Sequence, residues 1–163
     1  LHATDIGQHS IEEINRIEAG QFYGWPIREG RFVINPYGSF RSLYPLPVGD
    51  EDLGIRYPFL QLEHDELVAI IGGYVVGSGP LKGKFVFGDV PSGRLFFVDL
   101  NVDNSQAQTW GIRYQGKEMT LKELVGQDRV DLKFGLDAKK QLYLMSKTNG
   151  TVYRVVDNTI EIQ

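Results

Sequence analysis

Residues 84–100 read K-F-V-F-G-D-V-P-S-G-R-L-F-F-V-D-L, two aromatic and β-branched runs separated by a turn carrying Asp, Pro and Gly. Such runs suit a pleated, half-buried surface. The spacer at 89–93 predicts a tight hairpin. Upstream, 67–76 (L-V-A-I-I-G-G-Y-V-V) predicts another strand, with Gly72 and Gly73 marking a bulge or a close backbone approach. Downstream, 108–114 (Q-T-W-G-I-R-Y) predicts a strand that completes a four-stranded unit, and 120–125 predicts one helical turn. Residues 132–136, 141–146 and 151–156 repeat the pattern, joined by D-A-K-K and K-T-N-G turns. There Asp137 and Asn149-Gly150 are turn chemistry. Short strands spaced by roughly 8 to 12 residues indicate a sandwich, barrel or propeller.

The chain also resembles itself. Residues 83–98 and 140–155 each read strand, turn ending in Gly, strand. Stacked or radial β units produce repeats of this kind. A closed propeller takes about four to eight blades, more than two or three such units supply.

Composition bounds the function classes. The chain has 163 residues, 42% of them hydrophobic and 12% aromatic, which argues against disorder and allows a sizeable core. Its 19 Gly and 7 Pro are spread as punctuation. A net charge of −4 offers no basic face to a nucleic acid. With no cysteine, a disulfide framework and a thiolate metal site are excluded. No apolar run approaches the roughly 18 to 20 residues of a membrane span. No G-x-G-x-x-G, Walker or G-x-S-x-G motif supports nucleotide binding or serine hydrolysis.

Residues 5–26 carry most of the candidate chemistry: D-I-G-Q-H-S-I-E-E-I-N-R-I-E-A-G-Q-F-Y-G-W-P. Residues 12–17 are expected to form a strand, although Ser10 and Glu13 also match a helical capping box. On a strand Glu12 and Glu13 face opposite sides. Either one points into a pocket, or the pair forms a solvated face with one internal salt bridge. Tyr23, Trp25 and Pro26 form an aromatic corner, which either stacks on sugar rings or plugs between sheets. Residues 28–57 are rich in Gly and Pro and read as a long loop or insertion. His64, beside Glu63 and Asp65, would orient a substrate or accept a proton, or is an ordinary loop histidine. Three histidines without tight spacing do not make a zinc site. Asp89 either points into a channel or caps its own hairpin turn.

D-I-G-Q-H-S-I-E-E-I-N with Y-G-W-P, I-I-G-G-Y-V-V-G, G-K-F-V-F-G-D-V-P-S-G-R-L and F-G-L-D-A-K-K-Q-L-Y-L together resemble the glucose/sorbosone dehydrogenase family. The resemblance spans nearly the whole chain and is poorest at 28–57. It implies that residues 1–163 are the C-terminal part of such a protein, all-β and forming about three blades of a six-bladed β-propeller. It further implies oxidation of an aldose at the anomeric carbon, with pyrroloquinoline quinone as hydride acceptor and calcium beside it. By the same resemblance, the Gly7 and Gln8 carbonyls bind calcium, and Arg129, His64 and Asp89 contribute to the cofactor pocket. The family's catalytic histidine would lie upstream of this chain, so the segment alone is expected to be inactive. Pro91 stands where glucose dehydrogenases carry a cofactor-pairing lysine, and Arg129 lies about one residue from the expected arginine position, next to Asp128. These departures point to the alternative implied by the hedgehog-interacting relatives, a non-catalytic propeller that binds carbohydrate or a protein partner. The remaining expectations are a periplasmic or secreted location and a small redox carrier or cytochrome as electron acceptor. The open blade face would be covered by a missing N-terminal half or by a homodimer.

Overall fold

A computed structural model describes residues 1–35, 42–156 and 159–162, the last four as backbone only. The chain is all-β, with several small sheets, one helical turn and no closed barrel among the described residues. It divides into two compact units, Leu1–Ala69 and Ile70–Gln163.

In unit 1 the strands are β1 (His2–Asp5), β2 (Ile11–Arg16), β3 (Arg28–Glu29), β4 (Phe32–Ile34), β5 (Leu43–Tyr44) and β6 (Leu60–Glu63). Strand β2 lies between β1 and β6, antiparallel to both. The strand reading of 12–17 therefore holds over the helical one. Segment 28–57, expected to be loop, instead folds the antiparallel sheet β3-β4-β5 and a 3-10 turn at Asp50–Leu53. Its Gly and Pro residues punctuate strands of only two or three residues, too short to leave a period in the sequence. Residues 36–41 of that segment lie outside the described residues.

Unit 2 continues with β7 (Ile70–Val75), β8 (Phe85–Asp89), β9 (Leu95–Val98), β10 (Gln108–Thr109), β11 (Ile112–Tyr114) and β12 (Lys117–Met119). Helical turn α1 (Leu121–Val125) follows, then β13 (Leu132–Leu136), β14 (Leu142–Ser146), β15 (Thr151–Val156) and β16 (Thr159–Ile162). Strands β7 to β10 form one antiparallel meander and β13 to β16 another. The internal repeat is explained: 83–98 and 140–155 are the second and third strands of the two meanders. Strands β7 and β13 lie against each other, the contact expected of first strands in neighbouring propeller blades. Predicted strand 108–114 breaks after Thr109, so that β10 closes the first meander while β11 pairs with β12 and, in parallel, with β16.

Local chemistry accounts for the joints. At the predicted bulge the β7–β8 register shifts between Gly72 and Tyr74, and a Cβ on Gly73 would fall 2.1 Å from the Val86 carbonyl oxygen. The α1 turn starts with a capping box: Glu123 N donates to Thr120 Oγ1 at 3.2 Å and Thr120 N to Glu123 Oε2 at 2.7 Å. The core of unit 2 gathers Val86, Leu95, Trp110, Ile112, Leu132, Leu144 and Tyr153. Beside it Phe87, fully buried, stacks on Phe96 with centroids 5.5 Å apart.

Candidate functional site

Strand β2 is buried on both faces, so neither of its carboxylates meets solvent: Glu12 is 0% and Glu13 7% exposed. This corrects the solvated-face reading. Alternation sends Ile11, Glu13 and Asn15 to one side and Glu12 to the other. On its side, Glu12 Oε1 lies 2.7 Å from His64 Nε2 and accepts from Gly7 N at 3.1 Å. His64 is thereby tied to the loop before β2. On the other side, Glu13 accepts from Gly30 N and, at 2.9 Å, from Asn15 Nδ2.

The loop between β1 and β2 is moulded around a carboxylate that the sequence did not single out. Glu29 Oε1 accepts from the backbone N–H groups of His9, Ser10 and Ile11 at 3.0, 2.6 and 2.8 Å. Its second oxygen is buried with no hydrogen-bond partner. Nothing local flags Glu29, because its donors lie 18 to 20 residues earlier and its own surroundings read as loop. Gly7 is required for the loop to close: a Cβ there would fall 2.1 Å from the Ile11 carbonyl oxygen and 2.9 Å from Glu29 Oε1. Next to Glu29, the Arg28 guanidinium is spent on structure. Its Nε donates to Asp50 Oδ1 at 3.1 Å and its Nη1 to the Ile27 carbonyl at 2.8 Å. Tyr57 donates to the other Asp50 oxygen. That hydrogen bond, with Arg28, holds the Asp50 carboxyl below the usual carboxylate range against the opposing cost of burial.

Outside this scaffold lies a shallow depression of about 10 Å3, edged by Asp5, Gly7, Gln8, Glu13, Tyr23 and Trp25, with Glu29 behind them. Its volume admits one water-sized group, so whatever binds there binds on the surface. Burial pushes the Asp5 carboxyl up, and the nearby Glu29 charge adds to it. Burial likewise raises Glu13 against its hydrogen bonds from Asn15 and Gly30. Tyr23 is anchored, its hydroxyl donating to the Arg16 carbonyl at 3.0 Å and accepting from Glu18 N at 2.7 Å. Trp25 is 54% exposed, so its ring is not covered within the described residues.

The structure brings Gly7, Gln8 and, through Glu12, His64 to one region of unit 1. Arg129 and Asp89 belong to unit 2. Asp89 accepts from Ser92 N at 3.2 Å and from Ser92 Oγ, and so caps its own hairpin. Arg129 is 64% exposed, with Nε 2.6 Å from Asp131. No group of three or more His, Cys, Asp or Glu disposed to hold a metal occurs among the described residues. Among the described residues, no helix is long and apolar enough to cross a membrane.

No family model matches the chain, and no solved structure does. The chain is 25% identical to the HIPL1 protein of Arabidopsis thaliana over 94% of its own length, which is 24% of the HIPL1 protein. It is 29% identical to the HIPL2 protein of the same plant over 53% of its own length, 13% of that protein. The chain thus spans about a quarter or less of the curated relatives it matches, and its similarity to them is distant.

Proposed function

We propose that this chain contributes a carbohydrate-binding surface to a protein built like the glucose/sorbosone dehydrogenase propellers. The observation that carries the reading is the exposed Trp25 ring beside the exposed Asp5 carboxylate at the edge of one depression. A pyranose offers an apolar C–H face and a rim of hydroxyls. Trp25 would take the face, and the Asp5 carboxylate would accept from the hydroxyls. The distant likeness to the HIPL proteins supports the family side of the reading.

The fuller reading, oxidation of an aldose with pyrroloquinoline quinone and calcium, fits these residues unevenly. The oxygen-rich edge of the depression suits a hard cation, with the Gly7 and Gln8 carbonyls as the donors proposed for it. The quinone fits less well. The charge of Arg129 is already balanced by Asp131, and Asp89 offers a negative charge where an anionic cofactor would need a positive one. Binding of sugar is the activity proposed for the segment, in the periplasm or outside the cell. A small redox carrier or cytochrome would enter only with the oxidative reading.

Titration of the chain with a panel of aldoses, followed by Trp fluorescence and calorimetry, tests the reading. The expected outcome is saturable binding of at least one aldose that Trp25→Ala weakens about tenfold while the far-UV spectrum stays unchanged. Failure of every aldose to bind, or equal binding by the Trp25→Ala chain, would overturn it.

A further inference from the structure

Unit 2 contains a cavity that the surface described above does not use. It opens where the β8–β9 hairpin meets β11, β12 and the start of α1, and its volume is about 440 Å3. That lies within the roughly 300–1,000 Å3 of small-molecule sites. Gly93, Leu95, Trp110, Ile112, Met119 and Leu121 form its largely apolar wall. Arg94 and Lys122 are its charged lining residues, and no carboxylate lines it. Two of its hydroxyls are already engaged: Ser92 Oγ donates to Asp89, and Thr120 Oγ1 accepts from Glu123 N.

Trp110 differs from these. It is 6% exposed, and its indole Nε1 is buried with no hydrogen-bond partner. A buried donor left in that state costs free energy that an acceptor on a ligand would recover. The same ring also walls a smaller cavity of about 180 Å3, bordered by Ser78, Lys140 and Gln141. Of the two, the larger has the apolar wall and a positively charged lining without a carboxylate, which together define a ligand class.

We infer that the larger cavity binds a small aromatic molecule bearing one acidic group. Its ring system lies among Leu95, Ile112, Met119 and Leu121, where apolar surface is removed from water. Its acid faces Arg94 and Lys122. The Arg94 guanidinium rests 5.6 Å from the Phe96 ring centroid and would exchange that ring for the anion. The Lys122 ammonium sits 3.3 Å from Asp128 Oδ1, an exposed pair that a ligand anion exchanges at little cost. This site lies wholly within unit 2, so it stands or falls separately from the carbohydrate surface.

The probe is 8-anilino-1-naphthalenesulfonate, a naphthalene with a sulfonate, titrated into the whole chain. The expected result is saturable one-site binding with a micromolar Kd and energy transfer from Trp110, read in a Trp25→Phe background. Gly111→Phe is expected to weaken binding at least tenfold by filling the cavity mouth. A Cβ at Gly111 meets only Glu118 Oε1, at 3.8 Å, so the backbone admits it. Arg94→Gln combined with Lys122→Gln should weaken binding about fivefold and remove its salt dependence. Thr109→Phe, also at the lining, replaces Gly111→Phe if that chain loses its native far-UV spectrum. Non-saturable binding, absence of energy transfer from Trp110, or undiminished affinity in a folded cavity-filling variant each overturns the inference.

Discussion

At the centre of unit 1 the buried side chains include Glu12, Glu13, Asn15, Arg28, Glu29 and Asp50, interleaved with Ile11, Ile14, Leu60 and Leu62. At the centre of unit 2 they are Val86, Phe87, Leu95, Leu132, Leu144 and Tyr153, and the polar groups there serve mostly as turn caps. Both units are β-sheet, yet in the first the loops are shaped by carboxylates that gather backbone N–H groups. In the second, the β8–β9, β13–β14 and β14–β15 turns are short and apolar packing sets the spacing. The difference teaches where binding chemistry is affordable. A loop held by buried charge keeps oxygen acceptors fixed at the surface, whereas an apolar wedge tolerates a polar ligand only at its rim.

The contrast breaks most visibly in unit 2 on loss of a core ring. Phe87→Ala removes a fully buried side chain stacked on Phe96 and should cost about 3–5 kcal/mol, read as a shift of the urea midpoint. In unit 1 the corresponding blow is polar. Glu29→Ala strands three backbone donors, and leaving such groups unpaired should cost about 2–3 kcal/mol. Its signature is faster amide exchange at His9, Ser10 and Ile11, while β8 and β9 keep their protection. Equal loss of protection in both places would erase the distinction between the units.

A subtler test uses pH, because the β1–β2 region of unit 1 titrates in the opposite sense to the caps of unit 2. Asp50 of unit 1, lowered by Tyr57 and Arg28, shares the sense of unit 2. Asp5 and Glu13 have folded pKa values raised above the unfolded ones, chiefly by burial. The folded state therefore holds those protons longer, and their contribution to stability is full below the ordinary carboxylate range and fades as pH climbs through the raised values. In unit 2, Asp99 is lowered chiefly by its hydrogen bond from Lys84, and Glu123 by the backbone bond at Thr120. Their contribution is present above the ordinary range and disappears as pH falls through the lowered values. Amide exchange, corrected for its intrinsic rate, should show the β1–β2 loop loosening as pH rises from about 4 to 7, and the α1 cap and the β8–β9 pair loosening only as pH falls below about 4. Glu13→Gln should flatten the first trend. The Asn15 Oδ1 atom, now buried without a partner, would then accept from the new amide. The smallest effect expected is that of Lys122→Ala, which breaks only an exposed pair with Asp128 and should leave the melting midpoint unmoved.

Much of unit 2 was legible from residues alone. Runs such as F-V-F-G and L-F-F-V carry their own strand preference, and Asp89, Asp137 and Asn149 close turns within a few residues of themselves. The Gly72-Gly73 pair announced the bulge for the same local reason. The break after Thr109 was not legible, since Trp110 and Ile112 look equally strand-like whichever sheet claims them. In unit 1 the strand at β2 could be read, but not its burial on both faces. That burial depends on the 28–30 segment arriving over one side and His64 over the other.

The order of apolar runs and turn residues by itself determined the all-β class, the repeated meander and the place of the carboxylate-bearing loop. Those signals are local, set by φ/ψ preference and side-chain alternation over a few residues. Which carboxylates are buried, that Glu29 shapes the loop, that Trp25 faces solvent and that a cavity forms around Trp110 were decided only by tertiary structure. Each depends on groups distant in sequence meeting in space, and desolvation and hydrogen-bond satisfaction are properties of that meeting, not of any residue alone.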